Sequence, residues 1–105
     1  MSVYIITDIK VNDWDAYEAY VARTRPIVES YGGRYHVRGG EVTVRLGDWK
    51  PNRLIIIEFP SADDAAKFGN SPEYAPVKKI RETAADTLSS VMVEGYDGKS
   101  DNIGS

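Results

Sequence analysis

His36 is the only histidine in the chain. It is therefore the one side chain whose ordinary pKa lies close enough to neutrality to take up or release a proton unaided. Glu58 stands in the middle of the apolar run IIIEFP, where a desolvated carboxylate without a cation would have its pKa raised. Arg38 and Arg81 are the cations placed to neutralise it. Two readings are open: a structural ion pair, or a substrate-binding site in which Glu58 is also the general base. His36 likewise reads as a hydrogen-bonded structural imidazole or as a proton shuttle. Tyr17, Tyr20, Tyr31, Tyr35 and Tyr74 are either amphipathic core rings with a wet hydroxyl or phenolic donors to a ligand.

Other chemistry is disfavoured. Asp13 and Asp15, and Asp63 and Asp64, fall at expected helix starts, where the helix dipole accounts for them. One histidine and no cysteine make a transition-metal site unexpected, and no cofactor is expected either. The sequence has no G-x-S-x-G elbow, P-loop, G-x-G-x-x-G or H-E-x-x-H motif.

The chain has 105 residues, enough for one domain, expected over 1–96 with a flexible tail at 97–105. Thirteen Lys and Arg against sixteen Asp and Glu give a net charge of -3, which argues against a nucleic-acid partner. The opening MSVYIITDIKVND has no basic leader, and no apolar run approaches the ~20 residues that span a bilayer. A cytoplasmic protein without a membrane partner is the expectation.

The elements that must position the candidates follow from periodicity. Val3 to Val11 alternates as a strand. Asn12 or Asp13 caps a helix whose stripe is Trp14, Tyr17, Val21, Thr24, Val28 and Tyr31, with Pro26 expected to kink or loosen it before Gly32-Gly33. Residues 34–46 read as a strand interrupted at Gly39-Gly40, and 45–52 as a turn in which Asp48 and Trp49 form a lid or pack the end of the sheet. RLIIIEF (53–59) is a buried strand. Ser61 and Asp64 form a variant capping box that opens a helix ending at Gly69-Asn70. A further helical segment begins near Ser71-Pro72 or at Pro76 and carries Tyr74, Val77, Ile80, Arg81, Ala84 and Leu88. SSVMVEGY (89–96) is the last strand. The order predicts an α+β fold: a four-stranded antiparallel sheet of βαββαβ, ferredoxin-like topology with two helices on one face.

Helices cover one side of such a sheet, and alternation reads the other. With Val3, Ile5, Ile9, Ile55, Ile57, Phe59, Val91 and Val93 turned to the helices, Tyr4, Ile6, Leu54, Ile56 and Met92 point away, alongside Asp8, His36, Arg38, Glu58 and Glu94. An apolar second face implies a cover. A homodimer packed sheet to sheet, burying roughly 800 Å² per partner, is the expectation.

The stretches YGGRYHVRGG (31–40), LGDW (46–49), IIIEFPS (55–61) and SPEY followed by Arg81 resemble the bacterial domain-of-unknown-function family 1330, from about Val3 to Gly95. The resemblance implies the dimeric α/β-barrel superfamily, which includes cofactor-free monooxygenases and isomerase-like enzymes, with ligands between sheet and helices. Its pattern implies site residues Tyr20, Arg38, Glu58, Tyr74 and Arg81. The expected function is thus a cofactor-independent enzyme, isomerase or monooxygenase-like, acting on a small anionic or aromatic ligand. In it Glu58 and His36 are the catalytic candidates, and Arg38, Arg81, Tyr20 and Tyr74 bind substrate. The alternative is a non-catalytic dimer that binds a small ligand or another protein.

Overall fold

The computed structural model describes residues 1–99, so residues 100–105 of the expected tail lie outside the described residues. The chain runs β1 (Val3–Val11), α1 (Trp14–Ser30), β2 (Arg34–Arg38), β3 (Arg53–Phe59), α2 (Ala62–Gly69), α3 (Tyr74–Ala84) and β4 (Ala85–Glu94). The strands form one antiparallel sheet in the order β2-β3-β1-β4, so β2 and β4 are its edges. This is the α+β, ferredoxin-like arrangement expected from periodicity, with the second helical layer split into α2 and α3.

Local chemistry sets the boundaries. Asp13 caps α1 by accepting from the Ala16 amide, and Pro26 is carried inside that helix. Ser61 opens α2: its hydroxyl accepts from the Asp64 amide at 3.1 Å and donates to the Asp64 carboxylate at 2.8 Å, closing the variant capping box. Ser71 accepts from the Tyr74 amide and so turns the chain into α3. Tyr31 donates to Glu73 at 2.7 Å, tying the end of α1 to the start of α3.

Four expectations are corrected. The strand expected over 34–46 ends at Arg38, because Gly39 turns the backbone to φ 76° while its amide bonds the Leu54 carbonyl. The last helix stops at Ala84 instead of reaching Leu88, and β4 begins at Ala85. There the Ala84 carbonyl accepts from the amides of Asn12 and Asp13 at 2.8 and 3.0 Å, which favours leaving the helix.

The other two corrections concern which way strands face. Directly paired residues share a face. Thr7 pairs with Ser90 and Ile5 with Met92, so Met92 lies on the helix side, whereas Val91 and Val93 pair with Ile6 and Tyr4 on the far side. Leu88 is an extra residue in β4, and the register shift there is one the alternation did not reveal. In β2, Tyr35 pairs with Ile57 but Val37 with Ile56, leaving His36 as the extra residue. That bulge moves Arg38 to the helix side, opposite Ile55, and not to the far face expected for it. Glu94 pairs with Val3 and also belongs to the helix side.

The core between sheet and helices has two parts. Val3, Val28, Phe59, Ala65, Phe68, Tyr74 and Val77 form one; Ile9, Tyr17, Ile55, Ala84 and Ala85 form the other. Tyr20, Tyr35 and Ile57 pack against both. The far side of the sheet carries no helix. Leu88, Val91, Met92 and Val93 of β4 are each half exposed or more. Among the described residues no helix is long and apolar enough to cross a membrane.

Candidate functional site

Between the two parts of the core, under α1 and α3, lies a cavity of about 290 Å³. Its floor is the helix side of the sheet: Ile5, Thr7, Ile9, Ile55, Ile57 and Phe59. Such a volume sits at the small end of ordinary ligand pockets.

The cavity's charged groups and phenols come from two helices and two strands. On α1, Tyr17, Tyr20 and Thr24 are spaced three and four residues apart and so share one face. On α3, Tyr74, Lys78 and Arg81 do the same. Arg38 and Arg53 rise from the sheet. The Tyr20 and Tyr74 hydroxyls are 2.9 Å apart, and Arg81 donates to the Tyr74 oxygen at 3.1 Å. A guanidinium only donates. Either hydroxyl can donate to the other, and since one bond uses one of the two phenolic protons, the pair keeps one proton for the cavity. Arg38 stacks on the Tyr35 ring, 4.4 Å from its centroid, and donates to the Val21 carbonyl of α1. Arg53 lies 5.6 Å from the ring centroids of both Trp14 and Tyr17.

These phenols are kept neutral. Burial pushes Tyr35 up to about 12, with the Arg38 charge pulling the other way. Burial also raises Tyr74, reinforced by the neighbouring Tyr20 and opposed by Arg81. Tyr17 is raised by burial and held back by its hydrogen bond to Arg53. Near neutral pH they are hydrogen-bond donors and not bases.

Arg38, Arg53, Lys78 and Arg81 line the cavity, and no Asp, Glu or His among the described residues does. Four cations converge in a chain whose net charge is -3. Ion pairs among the described residues do not relieve them, since the two present join Arg25 to Glu29 and His36 to Glu58.

Of the residues singled out from sequence, Tyr20, Arg38, Tyr74 and Arg81 come together here. His36 and Glu58 do not. They meet each other on the far side of the sheet, 2.8 Å apart, with the His36 ring 5.3 Å from that of Tyr4. The Glu58 carboxyl is held below its ordinary range, chiefly by the His36 hydrogen bond and with help from Ser2 and Arg34. The neutralising partner is thus His36, and neither Arg38 nor Arg81. Asp8 is buried on that far side as well, accepting from the Asn52 amide at 2.9 Å and from Trp49 at 3.4 Å, and so pins the 39–52 connection.

Arg53, Lys78 and Thr24 had not been singled out as site residues. A signal existed for Arg53, which shares the parity of Ile55, Ile57 and Phe59, and for Lys78, one turn from Tyr74 on the face that leads to Arg81.

The family model described as a domain of unknown function, DUF1330, matches residues 2–96. No curated protein is matched. Solved structures share the fold. The RPA0582 protein of unknown function from Rhodopseudomonas palustris is 20% identical, with 88% of this chain and 78% of that chain covered and a TM-score of 0.66. SnoaB, a cofactor-independent oxygenase from Streptomyces nogalater, is 16% identical over 90% of this chain and 93% of that chain, with a TM-score of 0.66. HapK from Hahella chejuensis is 14% identical over 92% and 94%, with a TM-score of 0.68.

Proposed function

We propose, starting from a chain that belongs to the DUF1330 family, that it is a homodimeric, cofactor-independent enzyme of the isomerase or oxygenase type acting on a small anionic substrate held in the helix-side cavity. One observation carries this reading: four cationic side chains line a cavity whose other lining is apolar side chains and neutral hydroxyls, without a carboxylate among them. Placing unpaired charge in such surroundings is costly, and an anionic ligand removes the cost. Arg38 and Arg81 are among the cations that offset its charge, and the Tyr20–Tyr74 pair has one phenolic proton left to donate to its oxygens. Donors aimed at an oxygen that gains charge lower the energy of an enolate or phenolate. Isomerisation passes through such an anion, and an electron-rich anion of this kind is also what direct oxygenation without a cofactor requires. The fold shared with an oxygenase that works without a cofactor agrees with this reading.

A second reading is favoured by one specific placement. His36 and Glu58, the proton-moving candidates, stand across the sheet from the cavity. A cavity lined by cations and neutral phenols binds without needing to catalyse, so a ligand-binding dimer fits the same geometry. The dimer itself is supported by the uncovered apolar face, with Tyr4, Ile6, Leu54 and Ile56 beside the exposed Val91 and Val93.

Calorimetric titration with small aromatic carboxylates and their neutral amides tests the reading. Carboxylates bind, amides do not, and Arg81→Met weakens the carboxylates. Equal binding of acid and amide overturns it. A bound acid recovered unchanged, with no oxygen consumed, selects the binding protein over the enzyme.

A further inference from the structure

Among the described residues, two buried side-chain polar atoms have no hydrogen-bond partner: Thr24 Oγ1 and Arg53 Nε. Both residues line the same cavity. Buried polar atoms are normally paired, and a native structure that leaves two unpaired around one cavity marks where an absent molecule supplies the partners.

Their positions give that molecule a shape. Arg53 sits at the Tyr17 end of α1, its guanidinium flanked by the Trp14 and Tyr17 rings. Thr24 is seven residues further along the same helix face, about 10 Å at 1.5 Å per residue. It is one turn beyond Tyr20, whose hydroxyl is linked through that of Tyr74 to Arg81. The cavity therefore has two polar poles: Arg53 at one, and at the other the hydroxyls of Tyr20 and Thr24, with Arg81 bonded to Tyr74 and Arg38 to the Val21 carbonyl behind them. Between them the sheet presents the side chains of Ile5, Ile55 and Ile57, with the hydroxyls of Thr7 and Ser90 bonded to each other at 3.1 Å and Thr87 beside them.

We infer that the ligand is two-ended: an elongated, flat, apolar body with a carboxylate received by Arg53 and a hydroxyl or carbonyl oxygen received by Tyr20 and Thr24. This rests on the reading of the cavity as an anion site and adds which cation takes the anion and what stands opposite. A guanidinium set against two aromatic rings that also touch each other is held in place before the ligand arrives, so little is lost in ordering it. The Thr24 hydroxyl both donates and accepts, which suits a ligand oxygen of either kind. Each of the three arginines meets an acceptor, Arg38 the Val21 carbonyl, Arg81 Tyr74 and Arg53 Tyr17, and among the described residues Arg53 alone of them keeps a buried N–H, at Nε, without a partner.

The test measures dissociation constants of benzoate, phenol, para-hydroxybenzoate and the longer 6-hydroxy-naphthalene-carboxylate for the wild-type protein, Arg53→Met, Arg81→Met and Thr24→Val. Circular dichroism and a melting temperature establish that each variant is folded. The wild-type protein binds the two hydroxy acids about tenfold or more tighter than benzoate or phenol, as expected for an added buried hydrogen bond to an otherwise unpaired group. Arg53→Met removes the advantage of the carboxylate, so para-hydroxybenzoate binds it no better than phenol does. Thr24→Val keeps side-chain shape, leaves benzoate unchanged and weakens the hydroxy acids about tenfold. Benzoate binding that survives Arg53→Met but is lost in Arg81→Met overturns the two-ended arrangement while leaving the anion site standing. Equal wild-type affinity for benzoate and the hydroxy acids also overturns it, because nothing then receives the second oxygen. Failure of all four compounds to bind wild-type protein overturns the inference, and the anion site falls with it if other small carboxylates are inert too. If Arg53→Met does not fold, Thr24→Val alone decides, since the same arrangement requires its selective loss.

Discussion

The hydroxyls of Tyr20 and Tyr74, 54 residues apart in the chain, lie 2.9 Å from each other, and Arg81 reaches Tyr74 from two helical turns away. Helices α1 and α3 are thereby joined at the cavity by a hydrogen-bonded chain with a cation at one end. The groups that hold the helical layer together are also the donors offered to a ligand.

Tyr74→Phe keeps the ring that packs 4.4 Å from Phe68 but deletes the oxygen between Arg81 and Tyr20. Arg81 loses its acceptor in a buried setting. The expected loss of stability is about 1–3 kcal/mol, read from denaturant unfolding, together with weaker anion binding. A variant as stable as the parent that binds anions equally well would show the chain to be incidental.

Alkaline pH unfolds the protein within a defined window. Tyr35 titrates near 12 in the folded chain, against 10.0 for an ordinary phenol, and Tyr74 is raised as well. Both are raised, so the folded state holds these protons after the unfolded state has released them. The contribution of Tyr35 is complete below about pH 10 and is lost between pH 10 and 12, and that of Tyr74 is likewise lost only above the ordinary phenol value. Spectrophotometric phenolate titration beside circular dichroism checks this: Tyr35 and Tyr74 are expected to ionise only above the ordinary phenol value and together with loss of the fold, and their ionisation near pH 10 with the fold intact would overturn it.

Acid acts on the other side of the sheet. Glu58 is lowered from 4.5 by His36, so its contribution is present above about pH 4.5 and is lost as pH falls through the folded-state value. The stability gap between the parent and Glu58→Gln therefore closes on acidification. A gap that stays constant below pH 4.5 would show that the carboxylate contributes nothing as an ion.

Val91 lies on the uncovered face and is 58% exposed in the single subunit. Val91→Lys should leave the subunit fold intact and convert the sedimenting species from dimer to monomer at micromolar concentration. Parent protein that sediments as one subunit removes the case for assembly through this face.

Gly39 has φ 76°, and a Cβ there would collide with the Arg53 guanidinium. Gly39→Ala is expected to cost about 1–3 kcal/mol of stability through backbone conformation and to displace Arg53 from Trp14 and Tyr17. Combined thermal melts and benzoate titrations check both effects.

The faces of β1 and β3 were legible because each alternates without interruption, which put Ile5, Ile9, Ile55, Ile57 and Phe59 on the correct side. β2 and β4 were not, because each contains one unpaired residue, His36 and Leu88, and parity read across a bulge inverts. The end of α3 was hidden for another reason: its pattern continues to Leu88, while the amides that hold the Ala84 carbonyl come from Asn12 and Asp13, far away in sequence. At the site, Tyr20, Tyr74 and Arg81 could be read from helical spacing and family pattern. The separation of Arg38 from His36 and Glu58 could not, since it is one inserted residue that sends them to opposite sides of the sheet.

That inserted residue also constrains how the chain can vary over generations. Deleting one amino acid from β2 ahead of Arg38 would carry this guanidinium through the sheet and set it against any second subunit, while emptying its place beside Tyr35. Point replacements can retune either side separately. A change of length here alters both at once, so length drift is expected after Gly40, in the connection, and not within the five residues of the strand.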